Sequence, residues 1–244
     1  MIIPRLKQNR LRMELDLRES SMRQYFSPAI MSLTRALVPR LRRYASGRLL
    51  DAGCGVMPFK RLLKDTLDEY HSIDIEKRLP EVDFVGDLQD MNGVAAESYD
   101  VILCTEVLEH VPRPERLMEE AWRVLKPGGK LILSVPHLSR LHEEPFDYYR
   151  FTKYGLNVLF ERNSFSVLEL VSTGSLFSFF GHQISTAIVG STWHIPLLGR
   201  IVFLLNAGLC SLPCYALDKL FPLSERYPLG YVAVVEKSSV RSLG

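Results

Sequence analysis

The stretch "GRLLDAGCGVMPFKRLLKDTLDEYHSIDI", residues 47–75, decides the fold. "GRLLDAG" reads as a buried strand that stops in a glycine turn, with Asp51 at its end. "MPFKRLLKDTL" places Phe59, Leu62, Leu63 and Leu67 at helical spacing, and "YHSIDI" is a second strand carrying Asp74. Gly53 and Gly55 let the backbone approach a ligand closely, and the following helix start offers free N–H groups. The third glycine of a GxGxxG fingerprint is absent, because Pro58 stands there, so the glycines alone are a weak signal. Asp74 lies 23 residues beyond Asp51, at a strand end where a carboxylate can take both ribose hydroxyls. Either acid alone reads equally well as a cap or turn residue. Two acids at consecutive strand ends beside a glycine turn point to a nucleoside ligand.

Outward from this unit the alternation continues. "VDFVG" and the almost wholly apolar "YDVILC" are strands, "RPERLMEEAWRVL" puts Leu117, Ala121, Val124 and Leu125 on one helical face, and "KPGG" closes that helix. "KLILSVP", the helix "TKYGLNVLFERN", the strand "FSVLELV" and, much later, "YVAVVEK" at 231–237 complete the series. Such alternation means a parallel sheet with right-handed crossovers. A chain of 244 residues, 47% hydrophobic and 24% charged, suits one generous domain or a domain with an insertion.

The net charge of +2 hides an asymmetry: residues 1–44 hold ten Lys/Arg against three Asp/Glu, and the rest is mildly acidic. A basic arm attracts anionic lipid, nucleic acid or an acidic partner, or is simply a solvated helix pair. "MIIPRLKQNR" lacks the apolar core of a secretory signal, and Cys54, Cys104, Cys210 and Cys214 form neither a zinc nor a disulfide pattern. A cytoplasmic location and no metal are therefore expected, with Cys210 and Cys214 as small apolar residues on one helical face.

The segments "LLDAGCGVMPFKRLL", "SIDIE", "VGDLQDM" and "YDVILCTEVLEHVPRPERLMEEAWRVLKPGGKLILSVPH" together resemble the class I S-adenosylmethionine-dependent methyltransferases, within the ubiquinone/menaquinone-methyltransferase-like superfamily. "HEEPFDYYRFTKYGLNVLFERNSF" further resembles a bacterial subgroup linked to cell-surface glycan or lipid biosynthesis. The resemblance implies a Rossmann-like seven-stranded sheet, mostly parallel with its last strand antiparallel, helices on both faces, and S-adenosylmethionine as cofactor. It implies that Asp51, Gly53 and Gly55 form the loop against the methionine part. Asp74 would hold the ribose with Ile75 against the adenine, Asp87 and Leu88 would meet the adenine, and Cys104, Thr105 and Glu106 would line the floor. Many relatives carry a glycine where Met57 stands.

Methyl transfer from a sulfonium asks mainly for in-line positioning, and a hydroxyl acceptor gains from a base near neutral pKa. His137 and His142 follow the fifth strand, at the sheet edge where ligands bind, and are the candidates. His110, Asp147, Tyr148, Tyr149 and Arg150 are candidate pocket residues, read equally as wall residues that shape it. The "CTEVLEHV" run differs from the Asn/Asp-Pro-Pro-aromatic run of base-modifying relatives, and no basic stripe with interleaved aromatics occurs on the catalytic half. Nucleic acid is not an expected partner.

Three segments follow: a basic helical segment 1–45, a cofactor-binding core 46–172 with 230–237, and an apolar helical insertion 173–229. Across residues 170–217 the only formal charge is Arg200. A helix from Ile201 to Leu212, bracketed by Pro196 and Pro213, would reach only ~18 Å, short of the ~30 Å hydrocarbon core. A helical hairpin over 176–217 is expected, lying in a membrane interface with the basic arm on anionic phosphates, covering the pocket, or forming a dimer patch. The expected function is O-methylation of a small, amphipathic or lipid-linked acceptor in the cytoplasm, peripheral to the inner face of a membrane. The competing readings are a cofactor-binding, non-catalytic subunit or scaffold, and a soluble small-molecule enzyme that dimerises through the insertion.

Overall fold

The computed structural model describes residues 2–18 and 20–238. The chain divides into two compact units, one made of the segment up to Ala36 with Ser172–Leu229, the other of Leu37–Val171 with the segment from Gly230 on.

The second unit is built on β1 (Gly47–Ala52), β2 (Leu67–Asp74), β3 (Phe84–Val85), β4 (Tyr99–Thr105), β5 (Leu125–Pro136), β6 (Phe165–Thr173) and β7 (Gly230–Lys237). Their order across the sheet is β3-β2-β1-β4-β5-β7-β6. β1 pairs in parallel with β2 and β4, β4 pairs in parallel with β5, and β7 runs antiparallel to β5. This is the expected seven-stranded sheet with its reversed last strand. The central strands are almost wholly apolar because both faces are covered: Leu49, Leu50, Leu103, Ile132 and Val234 are fully buried. The helix α4 (Pro114–Val124) opens with proline in its first turn and buries Leu117, Met118, Ala121 and Val124, spaced along one face. The helix α5 (Lys153–Arg162) is capped by Thr152, whose hydroxyl accepts from the Gly155 N–H at 3.1 Å.

One helix is shorter than its pattern suggests. Instead of running through "MPFKRLLKDTL", α3 is a single turn, Lys60–Leu63. The Thr66 N–H and hydroxyl both donate to the Leu63 carbonyl at 3.0 Å, which closes the turn, and Leu67 already opens β2.

The first unit is helical: α1 (Ile2–Leu17), a 3-10 turn (Ser21–Tyr25), most of the first turns of α2 (Pro28–Tyr44), then α6 (Leu176–Thr192), α7 (Pro196–Asn206) and α8 (Leu212–Leu220). The insertion is thus a hairpin between β6 and β7. Its second arm departs from expectation. Pro196 starts α7, but Pro213 does not end it, because a π turn over Ala207–Ser211 carries α7 directly into α8. Proline lacks an N–H and clashes with the carbonyl four residues back; the wider turn just before Pro213 absorbs both effects. Leu197–Leu220 is one run of 24 residues whose most apolar 18-residue stretch has mean hydropathy 1.7, the one helix among the described residues long and apolar enough to cross a membrane by length and composition. At 1.5 Å per residue it reaches about 36 Å, so the length argument against such a helix does not hold.

Candidate active site

The glycine turn lies at the carboxyl edge of β1. The N–H groups of Gly53 and Cys54 donate to the Ile73 carbonyl at 2.8 and 3.3 Å, which folds the turn over the end of β2. Gly53 has φ +74°, and a Cβ there would sit 2.4 Å from Val107 Cγ2, so only glycine fits. Gly55 has φ +51° and nothing within 4 Å of where its Cβ would be. Its N–H instead donates to Asp74 Oδ2 at 2.8 Å, tying the turn to the second acid. Asp74 Oδ1 takes only a 3.4 Å contact from the Glu76 N–H. Met57, where many relatives carry glycine, keeps the glycine-like backbone with φ +52°, and its side chain is buried with Cys54, Val56, Leu79 and Val82.

Asp51 stands behind the turn rather than in it. It is 2% exposed and accepts a short hydrogen bond from the Tyr70 hydroxyl. Burial pushes its carboxyl up to about 7; the Tyr70 hydrogen bond opposes this and the nearby Asp74 charge adds to it. Burial likewise pushes the Cys54 thiol up to about 12 and raises that of Cys104.

Beyond β2, Ile75 is 71% exposed, unusual for a large aliphatic residue at the edge of a packed sheet. Asp87 is exposed and held by the Gln89 N–H at 2.9 Å, whereas Leu88 is 7% exposed and part of the core. Cys104 also belongs to the core, so its side chain supports the floor from beneath. Thr105 ends β4, and Glu106 follows with φ +54°, accepting from the Ser134 hydroxyl at 2.8 Å.

After β5 the remaining candidates fall into two groups. His137 donates from Nδ1 to the Phe151 carbonyl at 2.9 Å, which leaves Nε2 as the lone-pair nitrogen of the neutral ring. His142, His110, Asp147 and Arg150 gather around a residue missed in the sequence, Glu109. The Glu109 side chain is fully buried, and neither carboxylate oxygen has a hydrogen-bond partner. Burial, with the Glu106 charge adding to it, raises its carboxyl well above the ordinary range. His110 Nε2 lies 3.6 Å and His142 Nε2 3.8 Å from Glu109 Oε1, and the two imidazoles meet edge to face at 4.7 Å. The three residues offer ligand atoms within 4.8 Å of one another, a spacing that suits one cation, although no metal was expected. His110 donates from Nδ1 to the Phe146 carbonyl at 2.6 Å.

Asp147 orients this group. Its carboxylate accepts from the His142 backbone N–H at 2.8 Å and lies 3.4 Å from His142 Nδ1. Arg150 grips it in bidentate fashion at 2.6 and 2.7 Å. Burial works to raise the Asp147 carboxyl, but Arg150 and the His142 contacts hold it down at about 2. Arg150 also donates to the carbonyls of Arg140 and Tyr149, so it shapes the loop wall. The Tyr148 and Tyr149 N–H groups donate to the Glu109 carbonyl, the Tyr149 hydroxyl donates to the Pro112 carbonyl, and the Tyr148 ring is 44% exposed. Glu109 was hidden in the sequence because an acid between Leu108 and Val111 reads as a solvated turn residue; its one signal is its place just past β4, beside a histidine.

Residues 22–171, more than half of the chain, match the profile of the Methyltransferase domain family. The ubiquinone biosynthesis O-methyltransferase of Xanthomonas oryzae pv. oryzae is 35% identical over 103 residues, covering 37% of this chain and 43% of that protein. The chain therefore aligns with less than half the length of that curated relative. Among solved structures, a putative sarcosine dimethylglycine methyltransferase from Galdieria sulphuraria superposes with TM-score 0.59 at 15% identity, over 86% of this chain and 87% of that one. The [4+2]-cyclase SpnF superposes with TM-score 0.56 at 18% identity, over 86% and 81% of the two chains. At such identities these likenesses concern the fold alone.

Proposed function

Since the chain belongs to the class I S-adenosylmethionine-dependent methyltransferases, we propose that it transfers the methyl group of S-adenosylmethionine to a hydroxyl on a small amphipathic or lipid-linked acceptor in the cytoplasm. One observation carries the cofactor half of the reading: the Asp74 carboxylate closes on the Gly55 N–H beside a bare, exposed Ile75. The residues fit the cofactor. Open space over Gly55 admits a ligand against the backbone, Asp74 Oδ1 is placed to accept from a diol, and Ile75 offers an apolar face to a flat base with Asp87 nearby in sequence. When bound, S-adenosylmethionine supplies an already activated methyl group, so the protein's work is alignment and proton handling.

His142 is the proposed base. Asp147 lies against its Nδ1, which directs Nε2 to take the proton that the acceptor hydroxyl loses as its oxygen gains the methyl carbon. Glu109, whose carboxyl burial raises well above the ordinary range, adds no negative charge beside that imidazole while it keeps its proton. His137, with its tautomer set by the Phe151 carbonyl, is the second candidate. The hydroxyl acceptor is supported by the O-methyltransferase name of the partial relative, and the cytoplasm by four free thiols.

Calorimetry with S-adenosylmethionine tests the cofactor claim. Binding should weaken about 10- to 100-fold in Asp74→Ala, the loss of a charged hydrogen bond, and no heat from well-folded wild-type protein would sink it. Label transfer from the cofactor to a membrane extract rather than a soluble extract supports the amphipathic acceptor. Full turnover by His142→Ala on the labelled acceptor would remove the base assignment.

A further inference from the structure

Beyond a core of Met13, Phe26, Val189 and Phe203, the helical unit turns many of its large apolar side chains outward. Along α6 the buried positions are Ser178, Gly181, Ser185 and Val189, while Phe180, Ile184 and Ile188 are 58, 54 and 49% exposed. Those three large residues recur every four positions, so they form one continuous outward stripe. The run through α7 and α8 repeats the pattern. Asn206, Ala207 and Ser211 are buried beside a single large residue, Phe203, and Leu197, Leu204, Leu209 and Leu220 are 73, 60, 77 and 70% exposed.

Where α6 meets the second half of the arm, the contacts are those of small residues and polar bridges. A Cβ on Gly181 would stand 2.5 Å from Cys214 Sγ and 3.2 Å from Cys210 Sγ, so the helix backbones meet closely there. The Ser185 hydroxyl donates to Cys210 Sγ at 3.4 Å, the Asn206 amide to the Phe26 carbonyl at 2.9 Å, and the Ser211 hydroxyl to the Tyr25 carbonyl at 3.2 Å. Small residues and hydrogen bonds inside, with large aliphatics outside, are how helices pack in hydrocarbon, where burying leucine gains nothing.

The ends of the long arm are polar and aromatic. Near its start Arg12, Asp16, Trp193, His194 and Arg200 line one shallow cavity, and Trp193 Nε1 donates to Asp16 at 3.1 Å. Near its end Arg35 lies 4.0 Å and Lys219 5.0 Å from the Tyr215 ring centroid. Aromatic rings paired with cations belong at headgroup depth. The sequence up to Ala36 holds seven Lys/Arg against three Asp/Glu, the charge complement of an anionic surface.

We infer that the outward faces of α6 and of the α7–α8 arm are embedded in one leaflet of an anionic lipid bilayer, with the hairpin lying in the plane of the interface. The geometry favours lying flat over crossing. The Leu229 N–H donates to the Thr173 carbonyl at 2.8 Å, so the two ends of the hairpin segment meet. Crossing would need both arms to span, and α6, with 17 residues, reaches only about 26 Å. Crossing would also bury one polar end, whereas a flat hairpin keeps Arg200 and Lys219 both among headgroups. This inference does not rest on the methyl-transfer reading.

The full chain is mixed with vesicles of phosphatidylcholine alone or with one-third phosphatidylglycerol and sedimented. Wild-type protein should pellet with the anionic vesicles and at least tenfold less with neutral ones. Leu204→Glu combined with Leu209→Glu, both at exposed positions, should lower the partition at least tenfold with unchanged circular dichroism. Failure of the wild type to pellet, or equal pelleting of the variant, overturns the inference. So does a solution dimer that the variant splits without any lipid binding, since the face would then belong to a second copy. A cysteine introduced by Ile195→Cys should react with an impermeant thiol reagent outside intact vesicles; reaction only after the vesicles are opened would show that the hairpin crosses.

Discussion

The two units of this chain differ in what they turn outward. In the sheet unit, large residues such as Phe160, Leu103 and Met118 are fully buried. The helical unit buries Met13, Phe26, Val189 and Phe203, but α6 turns Ser178, Gly181 and Ser185 inward while Phe180, Ile184 and Ile188 face out. On the membrane proposal the difference reflects two surroundings: water expels apolar surface, whereas hydrocarbon leaves only close packing and hydrogen bonds to hold helices together. One chain therefore carries a chemistry module and a module suited to a surface.

The sharpest test exchanges equal truncations between the units. Phe160→Ala should cost about 3–5 kcal/mol, because a buried ring leaves a cavity. Leu209→Ala, at a position 77% exposed, should change stability in water by less than about 0.5 kcal/mol. Urea unfolding of the lipid-free chain reads both, and comparable losses would break the contrast.

The sheet unit also stores an electrostatic cost that pH reveals. Asp51 titrates near 7 in the fold against 3.8 for an ordinary aspartate. Between these values the folded chain holds a proton that the unfolded chain releases, so stability present below about pH 4 is lost as pH rises through 7. A shift of this size is worth up to about 4 kcal/mol. Asp51→Asn keeps an oxygen for the Tyr70 hydroxyl and carries no charge. Its unfolding midpoint should exceed that of the wild type at pH 8, and the gap should close towards pH 4. A gap that does not vary with pH would mean Asp51 is charged throughout.

Within α6 alone, two neighbours carry the contrast. Gly181→Val adds methyl groups where Cys214 already stands and should cost about 1–3 kcal/mol, while Phe180→Ala next to it should cost almost nothing in water. With anionic vesicles present the order of importance changes: Phe180→Ala then weakens partition, measured by the same sedimentation.

What the sequence made legible follows the range of the interactions. The β1–glycine–β2 unit and the "EVLEHV…KPGG" run were readable because strand alternation, turn glycines and helix faces are local patterns. The seven-stranded sheet and its reversed last strand came through family resemblance, and the structure has both. Glu109 was not readable, because its burial between two histidines depends on a loop, from His142 onward, more than thirty residues later folding back over it. Pro213 misled for a related reason: its usual effect on a helix was cancelled by the π turn at Ala207–Ser211, which no residue pattern announces. The inverted sorting of α6 was invisible too. "LFSFFGHQISTAIVGST" is apolar on every side, and only the packed neighbours show which side faces in.

The smallest expected effect concerns how each unit starts a helix. In the sheet unit α5 is capped by its own Thr152, and Thr152→Ala should cost about 1 kcal/mol. In the helical unit Ser175 makes no such bond; instead Asp218, from the far end of the hairpin, accepts from the N–H groups of Phe177 and Ser178 at 3.0 and 3.2 Å. That carboxylate closes the hairpin as well as capping α6, and it meets the positive end of the helix dipole. Asp218→Ala should therefore cost about 1–2 kcal/mol and act at both arms. Hydrogen exchange distinguishes the two caps: loss of Thr152 should speed exchange only in the first turn of α5, whereas loss of Asp218 should speed it in the first turn of α6 and the last turn of α8 together. Exchange confined to α6 would show that the hairpin is held by its small-residue interior alone, with Asp218 serving only as a cap.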